Sequence, residues 1–337
     1  MTDILNALVH LTNLMILPGL AYASQLALGA MGVTLIFSVL RFSNFAHAET
    51  MSLGTAFCII VTLWFQQLGI SFGFLPTALL ALPFAIVLTA IFLILSDRMV
   101  YRHFRRRNAK PEIFMILSSG IMLIINGMTR LLVGPKGRII DDGERFLVTA
   151  REFKEWSGLA EALVIKNTVV LTIIIAIFIC SVLFWFLKNT ETGKSMRAYS
   201  DNRDLALLSG VDPERIVFIT WILVAVLATL GGVLFGLDKG YRPFVFQQLL
   251  LPVFAAAVVG GLGNQVGAIV GAVVIAFSEI GLTFAWKRFF SYLLPADLEP
   301  TSMMQILSTE YKFAVSFTIL VLVLLFKPSG LMGGSQR

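Results

Sequence analysis

The sequence is poor in charge. Asp, Glu, Lys and Arg make up 14% of its 337 residues, whereas a soluble globular chain carries about 25%. That shortage excludes an ordinary water-soluble domain. Cysteine is nearly absent: Cys58 and Cys180 both fall inside apolar runs, lack metal-ligand spacing, and read as buried small hydrophobes. The three histidines, His10, His47 and His103, are too scattered to form a metal-ligand pair at helical spacing. No Ser/His/Asp or Cys/His arrangement is readable. Stretches of about ten residues alternating polar and apolar, the mark of a membrane β-barrel, are missing too. The opening stretch MTDILNALVH has no basic region, so no cleaved signal peptide is expected.

What the chain has is apolar length. Its residues are 57% hydrophobic and its mean hydropathy is +0.86. Several apolar runs reach bilayer-spanning length, which predicts an all-α integral membrane protein forming one membrane domain over 1–337. The candidate spans are Leu14–Leu40, Thr50–Leu68, Phe74–Leu95, Ile113–Val133, Leu163–Leu187, Ile216–Leu237, Leu249–Leu262, Val266–Trp286 and Phe313–Phe326. The seventh is too short to cross about 30 Å as a straight helix. The expectation is therefore eight full spans plus one broken or re-entrant segment.

The net charge of +6 does not indicate nucleic acid, because the basic residues sit at the ends of apolar runs, where they set orientation. Arg98, Arg102, Arg105, Arg106, Arg107 and Lys110 crowd one loop and predict that it faces the cytoplasm. The 188–215 loop, two spans later, shares that side, as does the tail KPSGLMGGSQR. The Gly134–Glu161 loop balances its basic residues with Asp141, Asp142, Glu144, Glu152, Glu155 and Glu161. It is expected outside, together with Lys287–Lys312 and the N-terminus.

Residues 188–215 form a polar segment between two membrane-length apolar runs, and it carries helical periodicity of its own. Arg197–Leu208 reads as one short amphipathic helix, Gly210 as its stop and Asp212-Pro213 as the next start. A simple connection needs only a few residues, so this segment reads as a contact surface for a partner in the aqueous phase. Gly193-Lys194-Ser195 is not a phosphate loop, since Lys188 stands where the pattern needs its first glycine. Gly261-Leu262-Gly263 is not a dinucleotide fingerprint, since the third glycine, Gly267, comes one place late and no βαβ unit surrounds it.

Three polar features remain. Asn44-Phe45-Ala46-His47-Ala48-Glu49 is either a solvated turn with Asn44 as a cap, or a bend that dips into a translocation path with Glu49 opening the next span. Gly260, Gly261 and Gly263, with Gly267 and Gly271 beyond, indicate close helix packing, an unwound stretch lining a cavity, or both. Within the spans lie Gln25, Thr34, Asn126, Arg130 and Glu279. Arg130 is near enough to a span end to snorkel. Glu279 is a pathway residue or a structural partner between helices.

Three blocks resemble the membrane permease subunits of branched-chain amino acid ABC importers, the LivH-type branch. Ser43 to Glu49 resembles the family's N-F-A-H-G-E block, with Ala48 standing where the family has glycine, and Met51, Leu53 and Gly54 follow as they do there. Thr192 to Ala198, continuing through Leu208-Ser209-Gly210-Val211-Asp212, resembles the family's cytoplasmic segment that contacts the ATPase subunits. Ala255 to Gly271, and on to Ser278-Glu279, resembles its glycine-rich block. The resemblance implies ATPase-coupling roles for Gly193, Arg197, Ala198, Asp204, Leu208 and Gly210. It implies a translocation pathway among Asn44, His47, Glu49, Gly260, Gly261, Gly263 and Glu279. It further implies a second permease subunit, two ATPase subunits that bind the ATP, a periplasmic substrate-binding protein and a bacterial inner-membrane location, with no cofactor or metal on this chain. Urea or short amides are the competing substrates. An ion-driven secondary transporter would need ionisable groups on several spans, and a lipid-modifying enzyme would have only His47 and Glu49 to work with.

Overall fold

The computed structural model describes residues 2–138, 140, 142–294 and 304–333. Asp141, the 295–303 part of the Lys287–Lys312 loop and the last four residues of the tail lie outside the described residues. Eight helices are long and apolar enough to cross a membrane. In chain order the helices are α1 (Thr2–Leu40), α2 (His47–Gln67), α3 (Ala78–Arg106), α4 (Pro111–Val133), α5 (Ala150–Ser157), α6 (Asn167–Asn189), α7 (Glu191–Asp201), α8 (Arg203–Leu208), α9 (Pro213–Lys239), α10 (Pro243–Gly260), α11 (Gln265–Thr283), α12 (Lys287–Ser291) and α13 (Lys312–Phe326). The described sheet is one antiparallel pair, Phe146–Val148 with Ile165–Lys166. The chain is thus an all-α multi-pass membrane protein.

Local chemistry explains most boundaries. α1 starts well before the expected Leu14, and it carries a π-helical turn at Thr12–Ile16 just ahead of Pro18. Proline has no N–H to give to the preceding turn, and a widened turn accommodates that loss. α9 opens on Pro213, with the Asp212 carboxylate accepting from the Glu214 amide at 2.9 Å. α11 opens on Asn264, whose side chain accepts from the Gly267 amide at 3.0 Å. α6 begins at Asn167 rather than Leu163, because Ile165–Lys166 pairs as a strand.

The seventh element departs from expectation. α10 begins at Pro243, and its 18 residues span about 27 Å at 1.5 Å per residue. Its start adjoins the Arg138–Tyr241 bridge, and its end receives Leu331 N–H on the Val259 carbonyl at 2.7 Å. It therefore runs from one end of the bundle to the other as a single helix. The polar pair Gln247-Gln248 had shortened the apolar run read from sequence.

The bundle has two ends. One gathers the basic loops: Arg41 donates to the Ser200 carbonyl, Arg102 pairs with Glu214, and Asn264 donates to the Met332 carbonyl. The far end joins Gln66 to Asp142, Asn6 to Glu161 and Tyr292 to Glu161. The core lies where α1, α2, α9, α10 and α11 meet, around Leu26, Met31, Met51, Trp221 and Phe246. Small residues let these helices touch. A Cβ on Gly54 would overlap Thr229, one on Gly232 the Met51 carbonyl, and one on Gly271 the Ala256 carbonyl. The outer faces of α4, α6 and α13 expose Ile116, Leu123, Phe178, Phe317 and Leu325, the side chains suited to lipid contact.

Candidate functional site

The Asn44–Glu49 bend is not a surface turn. Arg41 ends α1 in the left-handed conformation, φ 59°, and the chain then turns back into the bundle. Phe45 N–H donates to Ser118 Oγ at 3.1 Å, the Phe45 ring meets Phe254 at 5.7 Å, and the His47 ring fills the space a Cβ on Gly32 would need. Ser118, Phe254 and Gly32 each lie about two turns, roughly 9–12 Å, inside the basic-end termini of their helices. Three separate helices thus give the same depth for the bend. α2 consequently starts inside the bundle. Asn44 shapes the turn, its side-chain oxygen accepting from the Ala46 amide at 3.1 Å.

Glu49 is carried deeper still. It is 1% exposed. One carboxylate oxygen accepts from Asn126 Nδ2 at 2.9 Å, and the other has no hydrogen-bond partner among the described residues. One turn along α4, the Arg130 guanidinium lies over the Phe244 ring at 4.1 Å from its centroid. An ionisable group held within a span is costly unless it has work there. Asn126 and Arg130 are readable in the sequence as intramembrane polar residues four apart, hence on one helix face. Their association with Glu49 is not, because the pairing bridges distant segments.

The glycine block sits elsewhere. Gly260–Gln265 forms a tight turn between α10 and α11 at the basic end, not an interruption at mid-depth. Gly261 and Gly263 take φ of 109° and 90°, values that favour glycine. A Cβ on Gly260 would overlap the Gly267 carbonyl, and one on Gly261 would press on Ser329 and Gly333 of the tail. The bend meets α10 through Phe254 rather than through this turn.

Glu279 stands apart from both, about one turn from the far end of α11. It is fully buried. Ser316 Oγ donates to one of its oxygens, and Lys312 Nζ lies 3.4 Å from the other while capping the Tyr22 ring at 3.7 Å. This arrangement ties α13 to α11 and α1, which supports the structural reading of Glu279.

The polar segment divides into two helices, where one over Arg197–Leu208 was expected. Asn202 breaks the run with φ −145° and ψ 105°, and its side chain accepts from the Leu205 amide at 3.0 Å. The competing cap explains the correction: asparagine satisfies a helix start better than a helix interior. Gly193 is buried where a Cβ would overlap the Phe186 carbonyl, so α7 folds directly onto the end of α6. Arg197 donates to the Lys188 carbonyl at 3.4 Å. Ala198 and Asp204 are exposed, and Gly210 ends the segment with φ 83°. Leu205 and Leu208 are 61% and 86% exposed, an apolar pair turned to the aqueous side. Residues 35–39 of α1, α7 and the 263–266 turn enclose a groove of about 730 Å³.

The family profile described as "Branched-chain amino acid transport system / permease component" matches residues 15–324. The chain belongs to that family. The high-affinity branched-chain amino acid transport system permease protein LivH of Escherichia coli (strain K12) is 27% identical over 321 residues, covering 94% of this chain and 93% of that one. The permease protein BraD of Pseudomonas aeruginosa is 25% identical over 335 residues, covering 99% and 98%. Among solved structures, PsaBC from Streptococcus pneumoniae in complex with Fab is 13% identical with a TM-score of 0.45, covering 95% of this chain and 92% of that one; a score this low carries no argument. The match runs along nearly the whole length of this chain and of both permease relatives.

Proposed function

We propose that this chain is the membrane subunit of an ATP-driven importer of branched-chain amino acids in a bacterial inner membrane. It pairs with a second permease subunit, two ATPase subunits dock on α7 and α8 at the cytoplasmic side, and a periplasmic binding protein delivers substrate to the far end. ATP is bound by the ATPase subunits, and this chain contributes no catalytic group.

The observation that carries this reading is the depth of the Asn44–Glu49 bend. It brings His47, Glu49 and the backbone of a turn into a largely apolar bundle. A zwitterion with an aliphatic side chain needs few polar groups and much apolar wall along its route. Asn44, His47 and Glu49 are assigned to that route. Gly260, Gly261 and Gly263 shape the turn beside the groove under α7, and Gly193, Arg197, Ala198, Asp204, Leu208 and Gly210 form the ATPase contact. Glu279 is assigned to holding α13.

The test is uptake into proteoliposomes holding both permeases, both ATPases and the binding protein, with leucine, isoleucine, valine, urea and acetamide as substrates. ATP-dependent uptake of the three amino acids is expected, and Glu49→Gln should reduce it at least tenfold with the complex still assembled. Uptake of urea or acetamide alone would replace the substrate assignment. Uptake driven by an ion gradient without ATP would overturn the importer reading.

A further inference from the structure

At the basic end, a side-chain cluster with no part in the reading above joins the two segments on which that reading rests. α3 widens into a π-helical turn over Asp97–Tyr101, a local geometry that recurs at functional positions. Both ends of the turn are buried. The Asp97 carboxylate accepts from the two terminal guanidinium nitrogens of Arg105, at 2.8 and 3.1 Å, and from the Trp221 indole N–H at 2.9 Å. Tyr101 stacks on Trp221 at 5.5 Å and lies tilted against Phe42 at 5.4 Å, and its hydroxyl reaches the Asn44 side-chain oxygen at 3.5 Å. Glu214, in the first turn of α9, gathers Arg102 at 3.1 Å and Arg105 at 3.6 Å.

The other face of the cluster meets the coupling segment. Arg105, Arg41 and Phe42 share a cavity of about 290 Å³ with Tyr199 of α7 and Arg203 of α8. Arg41 donates to the Ser200 carbonyl. Arg41 thus ties α7 to the start of the bend, a second set of contacts runs from Arg105 through Asp97, Trp221 and Tyr101 to Asn44, and the two sets meet where Phe42 packs on Tyr101 and across the shared cavity.

The geometry points to Asp97 as a positioning residue that makes the coupling segment and the Asn44–Glu49 bend move as one body. The inference rests on the transport reading given above. Charge-assisted hydrogen bonds are shorter and stronger than neutral ones, so Asp97 fixes Arg105 on the coupling side and Trp221 on the side of the ring stack. Close-packed interiors do not deform smoothly; they shift between discrete arrangements. A displacement of Tyr199 and Ser200 bears on Arg41 and Arg105. With Asp97 in place it passes to Trp221 and Tyr101, and from Tyr101 to the residue that shapes the bend. Without the Asp97 charge, Arg105 is held by Glu214 alone and the Trp221 N–H loses its charged acceptor, so the displacement stops short of the ring stack.

Two substitutions test this. Asp97→Asn keeps size and an acceptor but removes the charge. Trp221→Phe keeps a ring in the stack and removes the N–H. In the reconstituted transporter, substrate moved per ATP hydrolysed should fall at least tenfold in Asp97→Asn and measurably in Trp221→Phe, with Asp97→Glu restoring part of the loss. A cluster that merely holds α3 to α9 would reduce the amount of assembled complex and leave that ratio at the wild-type value, which would overturn the inference. Hydrogen exchange on the purified full chain reads the link whatever the cargo. Asp97→Asn should speed exchange of the amides over 44–50 and 196–203 together, and faster exchange confined to 97–106 would overturn the inference. A wild-type complex that fails to take up branched-chain amino acids would count against the transport reading, and the exchange result would still decide the role of Asp97.

Discussion

Ala206→Pro tests the docking role proposed for α8. In α8 the Ala206 amide donates to the Asn202 carbonyl at 3.0 Å, and the Val211 amide returns to the Ala206 carbonyl at 3.1 Å. Proline at 206 removes the first bond and drives its ring into the carbonyl one turn back, at a cost of about 3 kcal/mol. α8 has only six residues, and a helix so short has no reserve of its own. A loss of that size shifts its folded population roughly a hundredfold. The spans are untouched, so membrane insertion should be normal. Stimulation of ATP hydrolysis by loaded binding protein, and substrate uptake with it, should both disappear. Leu208→Ser is the companion change: with Leu208 86% exposed, it leaves the fold intact, and loss of a docked leucine is worth about 1.5–3 kcal/mol. It should weaken co-purification of the ATPase about tenfold or more. Full uptake by both variants would show that α8 is not the docking element.

Three further outcomes are expected. Cysteines at Arg105 and Ser200 should resist an impermeant thiol reagent added outside intact cells, while one at Asp142 should react; labelling at Ser200 would invert the orientation. Gly271→Leu places a side chain against the Ala256 carbonyl and should lower thermal stability in detergent by several degrees, with an unchanged midpoint counting against close approach of α10 and α11. Asp142 ties the far-end loops: burial pushes its pKa up, but hydrogen bonds from the Thr77 amide and Gln66 outweigh that and hold it below the usual 3.8. A lowered folded-state pKa gives stability that is present above 3.8 and is lost as pH falls through the folded value. Exchange at 70–78 should therefore accelerate below about pH 4 in the wild type, and Asp142→Asn should flatten that dependence.

The spans were legible because each is a long apolar run bounded by charge or glycine, and lipid demands that pattern whatever the fold. α10 was underestimated since Gln247-Gln248 look like a boundary, yet their neighbours Phe246 and Leu249 are buried by surrounding helices. Asn202 was absorbed into the amphipathic periodicity around it, which hid that asparagine suits a helix start better than a helix interior. The depth of the Asn44–Glu49 bend had no local signature. It arises from Gly32 giving room to His47 and from Ser118 receiving Phe45, contacts that only tertiary structure creates. For the same reason the partner of Glu49 could be named as a polar residue but not assigned.

The tie between Glu279 and Lys312 fixes where the last helix sits along the bilayer normal. Lys312 is drawn inward by the carboxylate and the Tyr22 ring, so it cannot reach outward to headgroups as a lysine at a helix end ordinarily does. With the single turn Thr309–Tyr311 ahead of α13, the segment Thr309–Phe326 has 18 residues and is long and apolar enough to cross a membrane, so the tie sets the depth of this helix rather than its reach. A helix pinned at one depth cannot slide to follow the thickness of the bilayer around it. Turnover should then depend on acyl-chain length through a helix at the rim of the subunit.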